Sequence, residues 1–146
     1  MSQRHPVQND CIMFVTTNVK NRNKLFQDPA FASQAIECLY KVQQFHPFYI
    51  FGFVIMPDHC HFLLNVPWPN SISKVMRIYK ISVVFELGIG SFWQPRFHIV
   101  FPKKPFQALQ YIHANPVKAG LSDMPEKYPW SSAAGKWDVS IFESAW

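Results

Sequence analysis

Apolar residues recur along this chain in two periods, and the switches between them divide it into elements. Residues 11–19, CIMFVTTNV, mix β-branched and apolar side chains and read as a strand, followed by a polar, basic loop, KNRNK, over residues 20–24. In DPAFASQAIECLYKVQQF the apolar positions Phe31, Ile36, Leu39, Tyr40 and Val42 fall at helical spacing. Asp28 is the expected N-cap and Pro29 the first helical residue. Pro47 ends that helix. Residues 48–56 and 59–66 then read as two strands of a hairpin, with Pro57 and Asp58 as turn formers. Ser71 can cap a second helix, ISKVMRIYKISVVFELG, whose apolar positions are Ile72, Val75, Met76, Ile78, Tyr79 and Val83, with Gly88 near its end.

Residues 90–101, GSFWQPRFHIVF, have the aromatic and β-branched content of a strand, interrupted by Pro95, and read as strand or extended loop. PFQALQYIHAN, residues 105–115, is rich in helix formers. Pro116 is expected to end or kink that helix, because proline lacks the amide proton a continuing helix needs. The segment from Leu121 onward, with Pro125 and Pro129, reads as irregular. The order β-α-β-β-α-β followed by a helix predicts an α+β, ferredoxin-like βαββαβ fold. Its antiparallel sheet would carry both crossover helices on one face, and a C-terminal helix would carry Tyr111. With 146 residues, one domain is expected over 1–146, with residues 1–10 as a flexible tail.

Composition narrows the class. Nearly half the residues are hydrophobic and 16% are charged, which excludes a disordered chain, and the net charge of +5 suits an anionic partner without requiring one. Cys11, Cys38 and Cys60 are too far apart for a C-x-x-C site and odd in number for a disulfide framework, so reduced thiols are expected. The first ten residues lack the apolar core of a signal peptide, and the apolar run 48–56 is far shorter than the ~18 residues a membrane span needs. A cytoplasmic protein with no membrane association is the expectation.

Two short stretches carry candidate chemistry. In a strand, His59 and His61 share one face while Cys60, Phe62 and Leu64 share the other. Two imidazoles on one face can converge on a metal ion, although such a pair is also found on ordinary surfaces. In YIHANPVKAGL, Tyr111 and Asn115 stand four residues apart and share a helix face. A tyrosine hydroxyl can act as a nucleophile and an amide oxygen as a neutral ligand, yet a helical tyrosine commonly packs and Asn before Pro commonly ends helices.

Together with their neighbours these stretches form a pattern. In order along the chain run VTTNVKNRNKLF, GFVIMPDHCHFLL, SKVMRIYK, FWQPRFH, YIHANPVKAGL and YPWSS. The chain resembles the REP-associated tyrosine transposases, a branch of the single-tyrosine HUH transposases that act on single-stranded DNA. The resemblance implies that His59, Cys60 and His61 form the two-histidine motif, with Cys60 acting as a small core hydrophobe. It further implies that Tyr111 is the nucleophile and that Asn115 is a third metal ligand, leaving positions open for phosphate oxygens on Mg²⁺ or Mn²⁺. The metal would polarise the scissile phosphate, and attack by Tyr111 would leave a 5′-phosphotyrosine and a free 3′-OH. The sequence names no base for the tyrosine proton. His113, two residues away on a helix, should face elsewhere.

The implied partner is hairpin DNA read as a folded single strand, bound by a monomer or by a homodimer. The basic residues available to its phosphates are Lys20, Arg22 and Lys24 on the first loop, Lys74, Arg77 and Lys80 on the second helix, and Arg96, Lys103, Lys104 and Lys118 around the tyrosine helix. The first loop and the stretch from Arg96 to Lys104 are preferred, because the Arg77 and Lys80 face could equally be solvated surface. Phe92 and Trp93 could stack on bases but suit the core better. Two other classes fit the same residues: a hairpin-binding protein that has lost turnover, and a metal-dependent phosphodiesterase that does not use Tyr111.

Overall fold

A computed structural model describes residues 12–142; the expected flexible tail over 1–10 and Cys11 lie outside the described residues. Four strands, β1 (Ile12–Val19), β2 (Tyr49–Met56), β3 (His59–Asn65) and β4 (Trp93–Val100), form an antiparallel sheet in the order β2-β3-β1-β4. Helices α1 (Pro29–Phe45) and α2 (Ile72–Leu87) make the crossovers, and α3 (Pro105–Lys118) follows β4. This is the expected α+β, ferredoxin-like arrangement. The caps are the expected ones as well. Asp28 accepts from the Ala30 amide, Ser71 Oγ accepts from the Lys74 amide, and Gly88 closes α2 with a left-handed φ of 66°.

Strand alternation gives the sheet two different faces. On one, Met13, Val15, Phe53, Ile55, Cys60, Phe62 and Leu64 bury against Ala32, Ile36, Leu39 and Val42 of α1 and Ile72, Val75, Met76, Tyr79 and Val83 of α2. On the other, Ile12, Val54, Met56 and Leu63 pack under Ile112 of α3 and against Tyr128. A bulge in β2 serves both. Ile50 pairs with Leu64 and Gly52 with Leu63, so Phe51 is an extra residue that keeps Ile50 and Phe53 in the first core while Phe51 and Gly52 meet the second. A Cβ on Gly52 would run into the Leu109 side chain, so glycine here lets α3 lie close on β2.

The segment after α3 is less irregular than its composition suggests. It lies along β2, an edge strand, and satisfies its outward backbone groups. The Ile55 amide donates to the Trp130 carbonyl at 2.8 Å, the Ser140 amide to the Ile50 carbonyl at 2.8 Å, and the Phe53 amide to Ser132 Oγ at 3.0 Å. β4 is the other edge, which is why it tolerates Pro95.

Of the end or kink expected at Pro116, an end does not occur, for α3 continues past it to Lys118. Proline removes one bond, to the Ile112 carbonyl, in what is already the last turn. That turn is held by the Ala119 amide on the Asn115 carbonyl and the Leu121 amide on the Pro116 carbonyl, while the prolyl ring itself is buried. Among the described residues, no helix is long and apolar enough to cross a membrane.

Candidate active site

His59 and His61 project from β3 toward the α3 side of the sheet, and the register sets Asn18 and Thr16 of β1 beside them. Their ring centroids are 4.7 Å apart. His59 Nδ1 lies 2.7 Å from Asp58 Oδ1. An ionised carboxylate only accepts, so Nδ1 carries the proton and Nε2 the lone pair. His61 Nδ1 lies 2.8 Å from Thr16 Oγ1, which accepts when the ring proton sits on Nδ1. That tautomer frees Nε2. Neither Nε2 has a hydrogen-bond partner among the described residues.

The electrostatics keep both imidazoles neutral. Burial, with smaller contributions from His59 and Arg22, pushes His61 down to about 3. His59 is lowered by burial and by the Arg22 charge, against the opposing pull of Asp58. Partial burial raises the Asp58 carboxyl, but hydrogen bonds from His59 and Arg22 outweigh it and hold the group below its ordinary value. A neutral imidazole is the form that binds a metal ion.

Tyr111 enters this half of the face from α3. Its ring centroid is 5.9 Å from that of His61 and 5.8 Å from that of Phe14, and Phe14 also meets His61 at 4.9 Å. The tyrosine is 47% exposed, and Lys118 Nζ stands 5.6 Å from its ring centroid. A groove of about 620 Å³ runs from it between Phe14, Val100, Lys103, Lys104 and Gln107. Asn115 is half-buried one turn further along α3, and its side chain forms no hydrogen bond among the described residues. His113 points elsewhere: its Nε2 is 2.8 Å from Ser132 Oγ, under the β2 side of the helix.

The basic residues divide. Lys103 and Lys104 line the groove beside Tyr111, and Lys118 touches its ring. Lys20 and Lys24 are exposed on the loop after β1, whose backbone bonds to the turn before His59, and Arg96 is exposed on β4. Arg22 is already engaged, with Nε 3.1 Å from Asp58 Oδ2. Arg77 is exposed on α2, which packs on the opposite face of the sheet, and is not brought to the histidines. Lys80 Nζ is tied to the Gln94 carbonyl at 2.8 Å. Phe92 and Trp93 are buried in the α1/α2 core.

Sequence reading had missed Thr16, Phe14 and the role of Asp58. Asp58 carries a signal in its place directly before His59, though its residue type there also suits a turn. Thr16 and Phe14 had none, because register alone sets them beside residues 45 or more positions away.

The donor set fits a divalent cation. Two neutral imidazoles with open Nε2 atoms suit Mn²⁺ better than Mg²⁺. Among the described residues no third His, Cys, Asp or Glu joins the pair. A further protein donor would come from outside those four residue types, and an asparagine amide oxygen is one such group.

A ferredoxin-like sheet thus presents two histidines on β3 and a tyrosine on α3 to one side, and comparison with known proteins gives this arrangement a family. Residues 7–115 match the family model for IS200-like transposases, and the chain belongs to that family. It is 28% identical to the REP-associated tyrosine transposase of Escherichia coli strain K12, over 82% of this chain and 74% of that one. A solved structure of a REP-associated tyrosine transposase bound to a REP hairpin matches with a TM-score of 0.74 at 26% identity, covering 98% of this chain and 96% of the other. A solved chain from Deinococcus radiodurans shares the fold, with a TM-score of 0.57 at 17% identity over 77% of this chain and 95% of that one.

Proposed function

We propose that this chain cleaves and rejoins single-stranded hairpin DNA, with Tyr111 as nucleophile and with Mn²⁺ or Mg²⁺ held by His59, His61 and Asn115. The observation that carries the reading is the exposed Tyr111 ring standing 5.9 Å from the His61 ring, on the polar half of a sheet face. The likeness to a relative solved with a REP hairpin supports the substrate class. When bound, the cation supplies positive charge against a non-bridging oxygen of the scissile phosphate.

The chain's own residues do the rest. The Tyr111 oxygen attacks phosphorus, the bond to the 3′ oxygen breaks, and the phenolic proton ends on the released 3′-OH. The DNA 5′ end stays on Tyr111 as a phosphodiester, so a second 3′-OH can reverse the step or complete a transfer. Thr16 and Asp58 hold the imidazoles in orientation. Lys103 and Lys104 flank the groove that leads from Tyr111 and neutralise backbone phosphates, while Phe14 offers an aromatic edge to an unpaired base.

Labelled hairpin DNA incubated with the protein and Mn²⁺, then run on a denaturing gel, tests the reading. A labelled protein band that vanishes in Tyr111→Phe and on chelation is the expected result. Hairpin binding without any covalent band points instead to a DNA-binding protein without turnover. Cleavage that survives Tyr111→Phe points to a phosphodiesterase using water. Joint replacement of Lys103 and Lys104 by alanine is expected to flatten the slope of log K against log salt by about 1.4, the share of two single-strand phosphate contacts.

A further inference from the structure

The two histidines are held by different means. His61 lies within β3, and its partner Thr16 belongs to the neighbouring strand. His59 opens the strand at the β2–β3 turn, where a ring could swing more freely. Here the loop after β1 closes over the turn. The Val19 amide donates to the Asp58 carbonyl at 2.9 Å and the Phe26 amide to the Pro57 carbonyl at 2.9 Å. Between these two clamps, Asn21 and Arg22 both adopt left-handed backbone, with φ of 58° and 54°. Two successive non-glycine residues in that region are uncommon, and such backbone tends to persist where the surroundings enforce it.

The effect is to turn Arg22 back onto the turn. Its Nε donates to Asp58 Oδ2 at 3.1 Å, while His59 Nδ1 donates to Asp58 Oδ1 at 2.7 Å, so one carboxylate bridges guanidinium and imidazole. Arg22 Nη2 also comes within 3.3 Å of His59 Nδ1. Both atoms carry protons there, so that approach is a contact rather than a second bond.

We propose that Asp58 and Arg22 are positioning residues for His59: Asp58 selects the Nδ1-protonated tautomer and aims Nε2 outward, and Arg22 locks Asp58 in place. Arg22 thereby serves the histidine and not the DNA backbone. This deepens the function proposed above and rests on its reading of His59 as a donor.

The test begins without metal or DNA. Long-range ¹⁵N–¹H NMR of the apo protein reads the tautomer of each histidine. The wild-type protein is expected to show His59 protonated on Nδ1, and Asp58→Ala to show it protonated on Nε2 or exchanging between nitrogens, with the His61 signals unchanged. Titration with Mn²⁺, followed by the EPR signal of the free ion, should then give 10- to 100-fold weaker binding for Asp58→Ala, the usual cost of losing such a partner. Arg22→Ala should weaken Mn²⁺ binding less, and should leave hairpin affinity measured in EDTA unchanged. Its side chain is 54% exposed, so this variant keeps the test available if the turn does not fold with alanine at 58.

Three results would overturn the inference: His59 protonated on Nε2 in the wild type, a tautomer and Mn²⁺ affinity both unmoved in Asp58→Ala, or Arg22→Ala weakening metal-free hairpin binding with Mn²⁺ affinity intact. A wild-type protein that never forms a DNA adduct would sink the proposed function while leaving the tautomer result standing.

Discussion

The two faces of the sheet are made by the same four strands and behave as different materials. Under α1 and α2 the face is almost wholly apolar: the Tyr79 hydroxyl there donates to the Ala35 carbonyl at 3.0 Å, and Thr17 of β1 is buried with its Oγ1 unpartnered among the described residues. Under α3 the face is divided. Ile12, Val54, Met56 and Leu63 bury beneath the helix, while Thr16, Asn18, His59 and His61 occupy the strand ends beside it. One face contributes stability by area removed from water, and the other gives up part of that area to hold side chains in fixed, partly wet positions.

The sharpest way to break the comparison is to cut one residue on each face. Phe62 is fully buried against α1 and α2, and Phe62→Ala is expected to cost about 3–5 kcal/mol of unfolding free energy in a denaturant titration. Tyr111→Phe should change stability by no more than about 0.5 kcal/mol while removing the DNA adduct. Equal stability losses would mean that the α3 face is as much a core as the other.

Gly52→Ala probes the seam between helix and sheet. A methyl there meets Leu109, so a loss of about 1–3 kcal/mol is expected from overpacking. Because Leu109 and Tyr111 ride on the same helix, adduct formation should slow as well. A stability loss with undiminished adduct yield would show that α3 can shift without disturbing the site.

The smallest effect lies at high pH. Burial, with a contribution from Asp138, pushes Tyr40 up to about 12, and burial raises Tyr128 as well. Their hydroxyls donate to the Asp138 and Ile55 carbonyls. Both tyrosines hold their protons more tightly folded than unfolded, so their contribution is complete below pH ~10 and is lost as pH rises toward the folded values. Stability followed from pH 9 to 12 should therefore fall, and Tyr40→Phe should make that fall shallower. An unchanged slope in Tyr40→Phe would show that Tyr40 has no part in the alkaline loss and leave it to Tyr128 and to the buried Tyr79, Cys38 and Cys60, whose protons burial also holds.

Legibility in the sequence followed the range of the interactions. Asp28, Pro29, Ser71 and Gly88 mark their helix ends because a cap acts within a few residues, and the alternation of β3 separated His59 and His61 from Cys60 and Phe62 for the same reason. Pro116 does not end α3, because the cost of its missing amide depends on how much helix remains beyond it. The motif resemblance supplied Tyr111 and Asn115 as candidates, yet could not distinguish Arg22, which is turned inward to Asp58, from Lys103 and Lys104, which face the groove.

The sequence by itself determined the elements, their order and the face on which each histidine stands, since these depend on backbone geometry repeated every two or 3.6 residues. Tertiary structure alone decided the bulge at Phe51, the cover over β2, the pairing of Thr16 with His61, the bridge from Arg22 through Asp58 to His59, and the approach of Tyr111 to a histidine fifty positions earlier. Those contacts join residues whose separation along the chain carries no periodic signal, and they form only once the sheet has set its register and α3 has found the space that Gly52 leaves open.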